Sequence, residues 1–426
     1  MNIIIRLLFF GVLVTIFLFS EDVETYLITW GAYIAFVVIG LYFVMTKRSK
    51  IILYKEVWFF LFFVVYSGLS LLWAKYDKNQ SLSFLIMMLF FVTLSCNIFK
   101  SREDLDFLLN SNIWAGVVLS IYAPLIHGFN NYIGDMMDGM RMGAEVGGEN
   151  TVGICTAMSL LFSLGCFLYK KNRWYIAAMI PLLFTCLSTG SRTALLAIII
   201  GSGVLLFIYY YSTKRCIISY SFKIILIFSA FLIVGYYVLK NTPAFNPVYA
   251  RFDEFVQVIL GNEESAEGIG EGKIRTELIH AGLGAFKDNP IGGIGFQNGR
   301  YLFRGFRGKD SYSLHNNYVD ILCGGGIIGF VIFYSLYLLL IVKLSKKIKH
   351  CWEAGLALGT IIIVLIAHMS GVFYSLKFYY PWLIIWIVAA NLPNETNKAT
   401  QSELTSETED VKDYDNCNGL GWNPSR

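Results

Sequence analysis

The sequence predicts an all-α integral membrane protein of about twelve transmembrane helices with one large external loop containing amphipathic helices, and three observations carry that prediction. Charged residues make up 15% of the 426, whereas a soluble domain carries about 25%. Hydrophobic residues reach 56%, and mean hydropathy is +0.58. The apolar residues are gathered into runs close to the length of about 20 residues that crosses a bilayer.

In chain order the runs are Ile3–Ser20, Tyr26–Thr46, Val57–Trp73, Leu82–Phe99, Ile113–Gly128, Val152–Tyr169, Trp174–Leu187, Thr193–Tyr211, Phe222–Leu239, Tyr318–Val342, Ala354–Tyr374 and Phe378–Ala390. The first has the look of a signal peptide, but no small-residue cleavage site follows it and the next run starts almost at once. It reads as a retained helix.

Lysine and arginine in the short loops set the orientation. Lys47, Arg48, Lys50 and Lys55 mark one side, as do Lys100 with Arg102, Lys170 with Lys171 and Arg173, Lys214 with Arg215, and Lys343 through Lys349. The intervening loops are poor in positive charge, and Glu21-Asp22-Val23-Glu24 has none. With an even number of helices, both termini and every basic loop fall on the cytoplasmic side. Tyr132–Asn150 and Lys240–Leu314 then face outward. The organisation that follows is helices one to nine over 1–239, an external loop over 240–316, helices ten to twelve over 317–391, and a cytoplasmic tail over 392–426. The tail is rich in Glu, Asp, Thr, Ser and Asn and reads as disordered.

The external loop is the one sizeable insertion, and long loops in compact proteins are usually functional or disordered. It holds a flexible piece, Gly261–Gly272, and then Lys273–Lys287, which reads as an amphipathic helix stopped by Asn289-Pro290. A net charge of +4 with no basic patch gives no reason to expect nucleic acid. The eight cysteines show no Cys-x-x-Cys spacing and mostly sit in apolar runs, so they read as small buried hydrophobes.

Three residues of the outer face point to chemistry. At 100° per residue Arg275 shares a face with Ile279, Gly282 and Phe286, at the centre of an apolar stripe. An arginine there is costly unless an anion meets it or its stem snorkels to the interface. Arg192 opens a helix within Ser188-Thr-Gly-Ser-Arg-Thr-Ala194, and a helix N-terminus with a guanidinium makes an anion site, an interfacial anchor being the plainer alternative. His315 stands at the lip of a helix whose first turns are rich in glycine, and an imidazole exchanges protons near neutral pH. Guanidinium forks suit a pyrophosphate, and the histidine suits deprotonating a hydroxyl. Together they describe glycosyl transfer from a lipid pyrophosphate.

These segments resemble a known family. Residues 188–194 are similar to its serine-arginine motif. Arg275 through Gly295, with Phe286, Pro290 and Gly293, is similar to its external-helix motif, and His315-Asn316 with Gly326 and Gly329 to its histidine-glycine signature. Arg141 with Gly143 and then Asn150 resembles a further segment before a spanning helix. The chain is thus similar to the O-antigen ligase / O-antigen and capsular polysaccharide polymerase superfamily of bacterial polytopic membrane glycosyltransferases. The resemblance implies the lipid-sugar-dependent, GT-C-like class, an undecaprenyl-diphosphate-linked oligosaccharide donor and a glycan acceptor. It also implies metal-independent inversion without a cofactor, in the bacterial cytoplasmic (inner) membrane, with the active site facing the periplasm or outside. By the same resemblance His315 is the base, Arg192 and Arg275 hold the pyrophosphate, and Asn316, Arg141 and Asn150 support them. A chain-length regulator is an expected partner beside membrane lipid.

The resemblance points to a polymerase of lipid-linked repeat units, with the ligase that moves finished polymer onto lipid A core as the alternative. The paired arginine-to-glycine loop repeats of some O-antigen polymerases are absent, which leaves both open. A lipid-linked oligosaccharide flippase is the alternative of another class, although edge-placed charges suit an outward site better than alternating access at the midplane. Asp104-Leu105-Asp106 has the spacing of a metal-dependent transferase but reads as a helix-start charge cluster. Glu21-Asp22 is a minor candidate for a divalent cation. Asp320, an acid inside an apolar run, is a functional candidate off the His315 face. His368 is a secondary candidate, and His127 and His280 read as structural or solvent-facing.

Overall fold

The computed structural model describes residues 3–19, 26–46, 51–76, 80–138, 140–213, 237, 240–241, 249–250, 269–303 and 311–393. Among these residues there are thirteen α-helices and no strands. They are α1 (Ile3–Leu18), α2 (Tyr26–Thr46), α3 (Lys55–Ser70), α4 (Gln80–Ile98), α5 (Arg102–His127), α6 (Phe129–Met137), α7 (Glu149–Lys170), α8 (Trp174–Ser188), α9 (Arg192–Thr213), α10 (Ile269–Asp288), α11 (Asn317–Ser345), α12 (Trp352–Ala367) and α13 (Tyr379–Asn391). Apart from residue 237, the run Phe222–Leu239 lies outside the described residues, as do Glu21-Asp22, most of Gly261–Gly272 and the tail from residue 394. Each remaining apolar run coincides with a helix.

Among the described residues, five helices are long and apolar enough to cross a membrane: Ile28–Thr46, Arg102–His127, Glu149–Lys170, Arg192–Thr213 and Asn317–Ser345. Ile3–Leu18, Leu82–Ile98, Trp174–Ser188, Trp352–Ala367 and Tyr379–Asn391 are apolar but shorter. The fold is that of a polytopic, all-helical membrane protein.

The largest departures from the sequence expectation are at α5, α6 and α12. Helix α5 begins at Arg102 and not at Ile113, because Ser101 starts it with a capping box: Ser101 Oγ accepts from Asp104 N, and the Asp104 carboxylate accepts from Ser101 N. Its polar first turns are held by neighbours, with Arg6 on Asp104 at 3.0 Å and Lys170 on Asp106 at 2.9 Å. The acidic pair therefore sits in helix-start ion pairs. Helix α6 was not foreseen; Gly128, at φ 83°, ends α5 and turns the chain into it. Helix α12 stops at Ala367 instead of running on to Tyr374. Asn317 organises that break, since its Oδ1 accepts from Phe373 N at 2.8 Å and its backbone N donates to the His368 carbonyl at 2.8 Å.

The bundle has two chemically distinct ends. At one, Lys343 meets the buried Glu56 at 2.7 Å, Lys347 donates to the Ala390 and Leu392 carbonyls, and Lys170 meets Asp106. Helices α7 and α11 finish at that end, near Lys170 and Lys343, and their first residues, Glu149 and Asn317, mark the other. A 22-residue helix such as α7 separates the two by about 33 Å.

Helix α11 is broken in its first half. Gly326 takes φ 60° and ψ −163°, outside the helical region. Carbonyls released there accept from residues of the loop after α10, namely Ile294 N on Cys323 O and Gly295 N on Gly324 O, both at 2.9 Å. Ile327 N donates back to Pro290 O at 2.9 Å, and Tyr66 Oη donates to Gly325 O at 2.9 Å. Every polar group named here is satisfied, as an apolar surrounding demands. The glycines of this stretch admit a loop backbone, and Gly329 also lets Tyr66 of α3 come close. A Cβ on Gly326 would collide with the Ile291 carbonyl, and one on Gly293 with the Gly324 carbonyl.

Candidate active site

A small apolar cluster of Ile274, Leu278, Ile294, Leu314, Val319 and Cys323 fastens α10, the loop after it and the start of α11 to one another. Gly282 makes the approach possible, since a Cβ there would lie 2.6 Å from Val319 Cγ1. The cluster fixes two chemical residues at once. Arg275 follows buried Ile274, and His315 follows buried Leu314. The buried stripe of α10 runs through Ile274, Leu278 and Gly282, with Arg275 half-buried at its edge. That corrects the sequence expectation of a central arginine, which from the edge borders open space.

That space is a cavity of about 910 Å³ lined by Arg275, His315, Arg141, Asn150, Asp320 and Arg300, among others. A cavity of this size accommodates an extended polar ligand. His315 has φ 51°, a left-handed conformation that histidine tolerates better than most residues. Its backbone N donates to Ser313 Oγ at 3.3 Å, and the Tyr312 ring stands edge-on at 6.4 Å. Asn316 does not line the cavity. It is the N-cap of α11, with its side chain accepting from Val319 N at 3.1 Å, so it orients the helix that His315 precedes.

The facing wall comes from the start of α7. Arg141 donates through Nη2 to Asn150 Oδ1 at 2.8 Å and through Nε to the Thr189 carbonyl at 3.2 Å. It thereby ties this wall to the 188–194 segment. Arg192 is exposed at the first position of α9 and is not among the residues lining the cavity. Its neighbour Thr193 bonds to Ser370 at 2.8 Å, and Ser370 belongs to the third wall.

Asp320, expected off the His315 face, lines the same cavity because the backbone turns at His315 before the helix starts. It is buried, and Tyr374 Oη donates to its Oδ2 at 2.6 Å. His368 is not among the cavity's lining residues. It is fully buried among Asn317, Tyr334 and Tyr337, where it belongs to the packing between α11 and α12. His127 is bridged by Asp135 at 2.6 Å and Glu145 at 2.7 Å, and His280 is exposed on α10.

Sequence reasoning passed over Arg300, Gln297 and Glu149, all of which line the cavity. For Arg300 a signal existed. Arg300, Arg304, Arg307 and Lys309 form a basic run in a stretch assigned to the outer side, against the charge rule used for every other loop. Glu149 and Gln297 had no local signal. Among the described residues, three guanidiniums, from Arg141, Arg275 and Arg300, thus share the cavity with two carboxylates, from Glu149 and Asp320. The arrangement can hold an anion beside a base.

Residues 177–334 match the family model for O-antigen ligase. No curated protein matches the chain. The matched stretch contains Arg192, Arg275, Arg300, His315 and Asp320, while Arg141 and Asn150 lie before it. From the first turn of α8 into the broken helix α11, the chain is thus similar to the O-antigen ligase family.

Proposed function

We propose that the protein polymerises O-antigen or capsular repeat units, transferring glycan from an undecaprenyl-diphosphate-linked donor to a sugar hydroxyl of a second lipid-linked unit. The observation that carries this reading is that His315 and Arg275 line one cavity, at the end of the bundle away from its lysine-rich end. In the reaction His315 takes the proton of the acceptor hydroxyl. The hydroxyl oxygen attacks the anomeric carbon from the face opposite the diphosphate, and the bond from that carbon to the diphosphate oxygen breaks. The departing oxygen keeps the electron pair, and the configuration inverts. Arg275 in the cavity and Arg192 beside its Ser370 wall neutralise the charge that grows on the diphosphate. A diphosphate is already a good leaving group, so fixed positive charge takes the place of a metal.

The lysine-rich end faces the cytoplasm on this reading, and the cavity opens to the periplasm or outside, where flipped lipid-linked units are found. Twelve spanning helices, a chain-length regulator as partner and a bacterial inner-membrane setting belong to the same proposal. The description of the matched family favours a second reading, a ligase that moves polymer onto lipid A core. The chemistry is shared and the acceptor differs. Surface polysaccharide from a deletion strain separates them. Chains of a single repeat support the polymerase, polymer left on its lipid carrier supports the ligase, and repeat units trapped on the cytoplasmic face refute both in favour of a flippase.

A further inference from the structure

We infer that Arg300 is a further ligand of the donor diphosphate, an assignment that rests on the proposed lipid-diphosphate donor. Arg300 lies in a short 3-10 turn, Asn298–Tyr301, whose first two residues are buried. Asn298 is fully buried; its Oδ1 accepts from Tyr76 N at 2.8 Å, and its Nδ2 donates to Phe296 O at 3.2 Å. Gly299 fits against Leu314 and Cys323, the same cluster that positions Arg275 and His315. The Arg300 carbonyl accepts from Tyr312 N at 2.7 Å, which joins this turn to the strand of chain leading to His315.

The three cavity arginines differ in how far the protein already uses them. Arg141 spends donors on Asn150 and Thr189. Arg300 has one hydrogen-bond acceptor among the described residues, Ser311 Oγ at 3.2 Å, and lies 5.8 Å from the Tyr301 ring centroid. A guanidinium carries five N–H donors in a planar fork, so a face remains for a ligand. Asp320 accepts from the Tyr374 hydroxyl through Oδ2 at 2.6 Å and lies close enough to Arg300 to act on it electrostatically, without a hydrogen bond between the two. A guanidinium fork matches two oxygens of a phosphate group. Arg300 and Arg275 hang on one apolar cluster and face one cavity, which suits two forks on the adjoining phosphates of a single diphosphate.

The test uses the full-length protein in lipid nanodiscs, with undecaprenyl diphosphate and undecaprenol as the two probes. Wild type binds the diphosphate more tightly than the alcohol. In Arg300→Gln the ratio of the two affinities falls by about 10- to 100-fold, the size of a lost charge-assisted hydrogen bond. A variant that merely folded poorly would lose both ligands and keep the ratio. Arg300→Lys retains the charge without the fork and gives a partial fall, whereas His280→Ala, on the exposed side of α10, leaves the ratio at its wild-type value. An unchanged ratio in both Arg300 variants overturns the assignment and leaves the donor reading standing. Wild type that binds the two probes equally overturns both.

Discussion

Replacing Gly326 by alanine strikes the point where α11 opens to admit the loop after α10. The position has φ 60° and ψ −163°, a region that only glycine enters freely, and a side chain forced into it costs about 1–3 kcal/mol. The new Cβ would also run into the Ile291 carbonyl and lie 2.7 Å from Gly292 N, so the loop must move away from the helix. Overpacking of that kind adds about 1–3 kcal/mol. The two terms give about 2–6 kcal/mol, before any loss from the hydrogen bonds between 290–295 and 323–328. The loop joins the Arg275 helix to the Arg300 turn, so displacement also opens the cavity wall. Thermal unfolding of detergent-solubilised protein reads the stability loss, and glycan transfer in membranes of equal protein content reads the functional loss. Gly284→Ala is the matched control: a Cβ there meets nothing within 4 Å, and alanine in a helix gains up to about 1 kcal/mol over glycine. If Gly326→Ala melted with wild type and kept its activity, the inserted loop could not be what orders this site.

His315→Ala should lower transfer by about 100- to 10,000-fold while donor binding survives, because a general base acts on the acceptor; ordinary turnover in that variant refutes the assignment. Arg275→Lys should lower transfer by about 10- to 1,000-fold through loss of the fork, with His280→Ala at wild-type level. Purified enzyme should work in excess chelator, and Glu21→Ala with Asp22→Ala should stay active; loss of turnover restored by magnesium or manganese would transfer the chemistry to that acidic loop. In a background free of native cysteines, a cysteine near Glu263 should react with an impermeant maleimide in intact cells and one near Lys346 should not, the reverse pattern inverting every side assignment.

The helical, membrane-embedded character of the chain was legible at once, because hydrophobic length is a local property and 20-residue apolar runs have few other uses. The lysines that gather at one end of the bundle, Lys170, Lys343 and Lys347, were likewise marked as one group by loop charge. Local spacing also singled out Arg275 and His315, each an expensive side chain beside apolar sequence. Helix ends were less legible. Ser101 could be read as a cap only by weighing it against the polar turns after it, and the stop at Ala367 depends on Asn317, about fifty residues earlier in the chain.

What tertiary structure alone decided is which charges meet. Arg141, some 170 residues before His315, reaches the same cavity because α7 and α11 begin at one end of the bundle. Arg192 stands outside the cavity lining although its segment, too, resembles a family motif. Asp320 joins His315 because the backbone turns at φ 51° before the helix begins, which no helical wheel drawn through both residues contains. The glycine signature took its meaning from the same source. A run of small residues in sequence states only that something comes close; whether that is a helix or a loop backbone depends on hydrogen bonds made between segments about thirty residues apart, and such pairings leave no periodicity within either segment.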